Sequence, residues 1–252
     1  MLRTRVIPAL LLHGKSLVKT VQFKKYQYIG DPANTVRIFN ELEVDELSFL
    51  DIKAARTRSG PDFDVLRDIT SECFMPLSYG GGIDSLETAK RVFDTGFEKV
   101  VINTAATEAP GLIGEIARVY GTQAVVASID VNRDWLGRGG VFTRGGRTRA
   151  HSDPVVWART LEERGAGEIL LTSVPHEGTY QGFDLDLVRA VAQAIEVPLI
   201  AHGGAGELAH MRQAVDAGAS AVALGSMVVY QKKDMGVLVN FPAPNVLKHL
   251  VE

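Results

Sequence analysis

A chain of 252 residues, 46% hydrophobic and 23% charged, can build one large domain or two small ones of ordinary globular composition. A net charge of −3 gives no basic footprint for nucleic acid, and a single cysteine, Cys73, excludes an internal disulfide and fits a reducing compartment. The opening apolar run is short and is interrupted by Pro8, which argues against a signal peptide or a membrane span, so a cytoplasmic location is expected.

Short β-branched or leucine-rich runs alternate with amphipathic helical patterns along the whole chain. Strands are expected at 6–12, 46–51, 76–79, 99–103, 124–130, 168–172, 199–201 and 221–224. Helices are expected to start at Asp31-Pro32, an N-cap followed by proline, and near Asp62, Ser85, Pro110, Asp153, Asp184 and Glu207. Strict alternation means a parallel sheet, open or closed.

The chain also contains itself twice. Residues 76–106 align with 198–227: Pro76 matches Pro198, Gly81 matches Gly203, Gly96 matches Gly218 and Thr104 matches Ser226, at a constant offset of 122 (198 − 76). Duplication of a βαβα unit favours eightfold closure. The expected fold is α/β, a single (β/α)8 TIM barrel of two half-barrels, roughly 1–121 and 122–252.

Two insertions, 13–30 and 131–150, follow the first and fifth strands at the C-terminal mouth, where such barrels keep their chemistry. Either alone reads as a solvated loop. The first is cationic (Lys15, Lys19, Lys24, Lys25), and the second is rich in glycine and arginine. Glycine turns end the third and seventh strands, and Asn103-Thr104 and Gly225-Ser226 end the fourth and eighth. Such clusters let backbone N–H groups approach anions. Gly81, Gly82, Asn103 and Thr104 on one side, and Gly203, Gly204, Gly225 and Ser226 on the other, predict two phosphate sites and so a phosphorylated small-molecule ligand.

At these residues the chain resembles the HisF family, the cyclase subunit of imidazole glycerol phosphate synthase. The resemblance runs through RVIP at 5–8, ELSFLDI at 46–52, YGGGI at 79–83, KVVINTAA at 99–106, ASID at 127–130, GAGEILLTS at 165–173, GT at 178–179, GFDLDL at 182–187 and GGAG at 203–206. It implies a lyase-type barrel that receives ammonia from a HisH-like glutaminase, with Gly178 added to the phosphate-binding set. Two aspartates in the family act as general acid and base, assisted by a lysine. Asp130 matches the second aspartate and Lys19 the lysine, but Leu11 stands at the first, and leucine exchanges no proton. Since general acid–base catalysis supplies about 10²–10⁴-fold per group, cyclisation should be crippled. Two further departures are the Val174-Pro175-His176-Glu177 run, where the family has Asp-Arg-Asp before Gly-Thr, and His202, where it has a small residue.

At the opposite face, Arg5, Glu46, Lys99 and Glu168 match the family's salt-bridge ring that gates the ammonia channel. Any one of them could face water. Four with balanced signs suit an inward ring. An altered mouth over an intact gate resembles a branch of the family associated with glycosyl amidation in surface-polysaccharide (O-antigen) synthesis, which also has the leucine and a tail like VLVNFP at 237–242. That branch implies a separate sugar amidotransferase as a further partner. The alternatives are a true cyclase of histidine biosynthesis using Asp130 or Glu177, and a non-catalytic activator of the glutaminase.

Asp51 and Thr172 read equally as ligand-site residues or as satisfied core groups. Asp130 is either a working acid or an orienting acceptor for Lys19 or a loop arginine. His13, His151, His176 and His202 fit no metal spacing, and neither a metal nor another cofactor is expected. Cys73 reads as a buried small hydrophobe, and Trp135 as a lid residue or ordinary loop packing.

Overall fold

The computed structural model describes residues 4–57, 59–233, 235–243 and 245–247. Residues 1–3 of the opening run lie outside them.

Each apolar run forms a strand, and each amphipathic pattern brings the chain back to start the next. Strand β1 (Arg5–His13) leads into a hairpin, β2 (Ser16–Val21) and β3 (Lys24–Gly30), and then α1 (Pro32–Glu41). Strand β4 (Leu47–Asp51) precedes α2 (Ala54–Thr57) and α3 (Phe63–Glu72). Next come β5 (Leu77–Gly80) with α4 (Leu86–Asp94), and β6 (Lys99–Ile102) with α5 (Thr104–Glu108) and α6 (Leu112–Tyr120). Strand β7 (Val125–Arg133) leads into a second hairpin, β8 (Gly139–Thr143) and β9 (Thr148–His151), before α7 (Pro154–Glu163). The chain ends with β10 (Glu168–Ser173), α8 (Leu185–Ala192), β11 (Leu199–His202), α9 (Leu208–Asp216) and β12 (Ala221–Leu224).

Eight of these strands pair in parallel in the order β10-β11-β12-β1-β4-β5-β6-β7, and β7 pairs with β10 to close the ring, Glu168 opposite Val126 and Thr172 opposite Asp130. This is the expected (β/α)8 barrel. Side chains alternate between two apolar layers. Val6, Leu10, Phe49, Tyr79 and Ile129 face the helices, whereas Ile7, Ala9, Val101, Val126, Leu170 and Ile200 pack together inside. The helices start where their caps dictate. Asp31, Asp62, Ser85, Asp153 and Asp184 each accept from backbone N–H groups of the first turn. Glu207 precedes α9 without a side-chain capping bond, and α6 starts at Leu112 behind Gly111.

The structure corrects three expectations. The two insertions are not loops. They fold as antiparallel hairpins on the upper ends of β1 (Leu11 opposite Val18) and β7 (Asp130 opposite Phe142). Cys73 is only half-buried, just after α3, where it packs against the edge of the core. Trp135 is no lid: it is 89% exposed in the turn between β7 and β8. Among the described residues, no helix is long and apolar enough to cross a membrane.

Candidate functional site

The lower end of the barrel is closed by charge. Arg5 Nη1 donates to Glu46 Oε2 at 2.6 Å, and Lys99 Nζ donates to Glu46 at 3.1 Å and to Glu168 Oε1 at 3.1 Å. Arg5 Nη2 lies 3.1 Å from Glu168 Oε2, an ion contact whose angles are poor for a hydrogen bond, so that oxygen counts as a buried acceptor without a donor. The four residues that the sequence proposed for a ring thus form one, with alternating signs and each charge touching two opposite ones. Above it the lumen holds an apolar cluster of Ile7, Ala9, Val101, Val126, Leu170, Ile200, Ala221 and Ala223, with the buried serines Ser48 and Ser78 at the inward positions of β4 and β5.

The upper end opens into a cavity of about 520 Å³. Leu11, Lys19, Asp130, Thr172, Glu177 and His202 line it together, and all six are buried. Leu11 faces the pocket. Lys19 sits on β2 rather than on a solvated loop, and β2 carries it inward, where Nζ donates to the Ala9 carbonyl at 2.6 Å. Asp130 Oδ2 accepts from Asn103 Nδ2 at 3.1 Å. Asp130 is therefore not the acceptor for Lys19 or for a loop arginine.

Glu177 fastens the first hairpin to the barrel. Its Oε1 accepts from Thr20 Oγ1 and its Oε2 from the Phe23 amide, both at 3.0 Å, while its carbonyl accepts from the Gln22 amide at 2.9 Å. Gln22 and Phe23 hold left-handed φ angles of 53° and 60°, so the tip over the mouth is strained for its residue types.

Burial dominates the electrostatics of this cavity. It raises Asp130 from its usual carboxylate range to about 7, with Glu177 adding to the rise and hydrogen bonds from Asn103 and Thr172 opposing it. Burial lowers Lys19 to about 8, against the attraction of Glu177. It lowers His202 to about 3, helped by the Lys19 charge, so that ring is neutral at physiological pH. Glu177 is also raised by burial. Near neutral pH the site therefore holds an acid, an amine and an imidazole with unusual proton affinities, which is what proton-transfer chemistry requires.

Asp51 reaches the cavity wall, but its Oδ1 accepts from the Lys53 and Ala54 amides at 2.8 and 2.9 Å and so caps α2. Gly81, Gly82, Asn103 and Thr104 line the cavity. The matching set on the other half, Gly203, Gly204, Gly225 and Ser226, does not, nor does Gly178. Close packing is reason enough for glycine at two of these: an added Cβ would lie 2.0 Å from the Gly182 carbonyl oxygen at Gly204, and 2.5 Å from that of Thr20 at Gly178. Neither His13, His151 nor His176 lines the cavity, and no metal-ligand cluster occurs among the described residues. The sequence reading missed Arg144 and Arg147, which line the mouth from the β8–β9 turn. Their only signal was the Arg-Gly-Gly-Arg run at 144–147.

Comparison with known proteins agrees with this geometry. A family model described as "Histidine biosynthesis protein" matches residues 5–234. The chain is 47% identical over 248 residues to a Pseudomonas aeruginosa protein named "Putative imidazole glycerol phosphate synthase subunit hisF2", covering 98% of this chain and 99% of the relative. It is 45% identical over 231 residues to the imidazole glycerol phosphate synthase subunit HisF of Thermobifida fusca, covering 90% of each. It is 42% identical over 244 residues to that of Thermococcus gammatolerans, covering 96% of each.

Proposed function

The chain belongs to the HisF family of histidine biosynthesis proteins, and from that premise we propose that it is the barrel subunit of a glutamine-dependent synthase. In this reading a HisH-like glutaminase docks at the base, and ammonia travels up the lumen to a phosphorylated ligand at the mouth. The observation that carries it is the paired ring of Arg5, Glu46, Lys99 and Glu168 beneath the apolar cluster inside the barrel. An apolar passage rejects ammonium, whose desolvation is expensive, and admits neutral ammonia.

The mouth supports the finer assignment. Leu11 removes one of two proton-exchanging groups, so the reaction served is one that needs the nitrogen more than the ring closure. Glycosyl amidation of a surface-polysaccharide sugar, completed by a separate sugar amidotransferase, fits that requirement. The phosphate-bearing end of the ligand would rest on Gly81, Gly82, Asn103 and Thr104 at the cavity wall, with Gly203, Gly204, Gly225, Ser226 and Gly178 as a second set outside that wall.

The first test is calorimetric titration of a HisH-type glutaminase into the purified barrel, followed by glutaminase assays. Tight binding and stimulated glutamine hydrolysis are expected. Absence of any complex by calorimetry and size exclusion overturns the reading. A second reading, a true cyclase, is favoured by Asp130 and Glu177 sharing one cavity. Ammonia supplied with the phosphoribosyl substrate separates the two: formation of imidazole glycerol phosphate at a rate that Leu11→Asp leaves unchanged would favour the cyclase.

A further inference from the structure

Four side chains cross the mouth in one line. Asn103 Nδ2 donates to Asp130 Oδ2 at 3.1 Å, Thr172 stands beside Asp130 across the β7–β10 pair, and Thr172 Oγ1 lies 3.1 Å from His202 Nδ1. The register of β7, β10 and β11 enforces the line, because Asp130 sits opposite Thr172 and Thr172 opposite His202. The far nitrogen of the ring, Nε2, has no hydrogen-bond partner among the described residues. It points toward Gly225, where a Cβ would lie 3.9 Å from Nε2 and 3.1 Å from Lys19 Nζ. The absence of a side chain at Gly225 leaves room there for a ligand atom.

We propose that Asp130, Thr172 and His202 form a proton relay whose outlet is His202 Nε2, so that His202 hands the proton to the ligand on the β11–β12 side of the mouth. The proposal rests on the mouth being the ligand site, but not on which reaction runs there.

The relay balances as one proton delivered to the ligand and one lost from Asp130. With Asp130 protonated, its carboxyl O–H donates to Thr172 Oγ1, the threonine hydroxyl donates to His202 Nδ1, and the ring carries its hydrogen on Nε2. The Nε2 proton then passes to a ligand lone pair, the threonine proton moves to Nδ1, and the Asp130 proton moves to Thr172. Asp130 is left as carboxylate, accepting from Thr172, which accepts from Nδ1–H. The Nε2 lone pair is now bare, and the wire has turned over. The accepting atom is an oxygen or nitrogen of an anionic or neutral group, because the Lys19 ammonium beside the outlet repels cations. Burial supports the scheme: it keeps His202 neutral and lets Asp130 exchange its proton near pH 7. The other charged groups of the cavity wall are Lys19 from β2, Glu177 after β10, Asp51 at the end of β4, Asp84 after β5, Glu108 on α5, and Arg144 and Arg147 from the β8–β9 turn.

The scheme makes the tautomer of His202 depend on the protonation of Asp130, and ring nitrogens report this directly in the ligand-free protein. The full chain, labelled with ¹⁵N-imidazole histidine, is titrated from about pH 9 to about pH 5, and His202 is assigned by its loss in His202→Gln. At the alkaline end Nδ1 is expected to be protonated and Nε2 bare, and at the acid end the two are expected to exchange roles. Thr172→Ser is expected to keep this exchange, while Thr172→Val and Asp130→Asn abolish it. If Thr172→Val does not fold, Asp130→Asn and Thr172→Ser decide. A tautomer that stays constant across the range overturns the relay. So does joint protonation of both nitrogens, which would mean that the ring titrates by itself, or an exchange that survives in Thr172→Val or Asp130→Asn. None of these outcomes depends on a glutaminase, so failure here is separable from failure of the channel reading.

Discussion

The two ends of this barrel bury comparable numbers of ionisable groups and treat them in opposite ways. At the base, two cations and two carboxylates touch one another in rotation, every contact within 3.1 Å. At the mouth, Lys19, Asp130, Glu177 and His202 are all buried, but Lys19 bonds a carbonyl and Asp130 bonds an amide. Opposite charges at the base cancel where they lie. Those at the mouth are held apart, so each keeps part of its desolvation penalty as a shifted proton affinity. The base is paired, whereas the mouth is poised to exchange protons. Substitutions at each end test this contrast.

The largest effect is expected at the base. Glu46→Ala leaves Arg5 and Lys99 sharing one carboxylate and should destabilise by about 3 kcal/mol, the low end for breaking a buried pair, since Arg5 is partly exposed. Calorimetry should show a Tm fall of roughly 2–4 °C per kcal/mol. Glu46→Leu/Lys99→Met removes one charge of each sign and should recover much of that loss. If the double variant is as unstable as the two single losses combined, the ring is not a unit.

Next comes Leu11→Asp. Leu11 is 5% exposed, and its burial is worth roughly 2 kcal/mol. A carboxylate there would lose that and gain only the company of Lys19. A fall of about 2 kcal/mol in chemical denaturation is expected, together with a rise of the Lys19 pKa from about 8, read by NMR. An unchanged Lys19 would mean that residue 11 and the amine do not share the cavity.

The third effect has the opposite sign. Asp130 has a higher proton affinity folded than unfolded, so it titrates at about 7 in the native state and near 3.8 when unfolded. Between those values the native state binds the extra proton, and stability falls as pH rises. Asp130→Asn should therefore be more stable than the parent above pH 7, by on the order of 1–2 kcal/mol after relaxation and water entry reduce the full desolvation penalty. The difference should vanish below about pH 4. The same variant is expected to lose about 10²-fold or more in any proton-transfer step at the mouth.

Much of this contrast was legible in the sequence, and its gaps have physical causes. The strand–helix alternation and capping residues such as Asp31 and Asp153 locate the barrel because they are local signals. Arg5, Glu46, Lys99 and Glu168 each lie at or next to the start of a strand, but it was the resemblance to the HisF family that implied a ring; position alone leaves each free to face water. The hairpins were hidden. A two-residue turn needs two left-handed residues and normally shows Asn-Gly, but Gln22 and Phe23 fill it here. The Phe23 amide and the Thr20 hydroxyl are held by Glu177, more than 150 residues away in sequence, and no local pattern reveals such a tie. The burial of Lys19 follows from the hairpin and was hidden with it. The Thr172–His202 contact needed the β10–β11 register, which the strands alone do not supply.

The smallest expected effect lies on the alkaline side and isolates Lys19. Its amine is lowered to about 8 in the folded chain and titrates near 10.5 unfolded. Between those values the unfolded state holds the extra proton, so stability rises with pH across that window. Combined with the Asp130 limb, this predicts a shallow minimum of stability between about pH 7 and 8, where both groups are buried and charged. Lys19→Met should flatten the alkaline limb and leave the acid limb in place. The net gain at pH 7 should stay below about 1 kcal/mol, because the same substitution takes from Glu177 its buried cation and pushes that carboxylate further up. Urea denaturation of the parent, Lys19→Met and Asp130→Asn at pH 4, 7.5 and 10 measures both limbs. A parent profile with a maximum near pH 7.5 would mean that the mouth, like the base, neutralises its own charges, and the distinction between the two ends would fall.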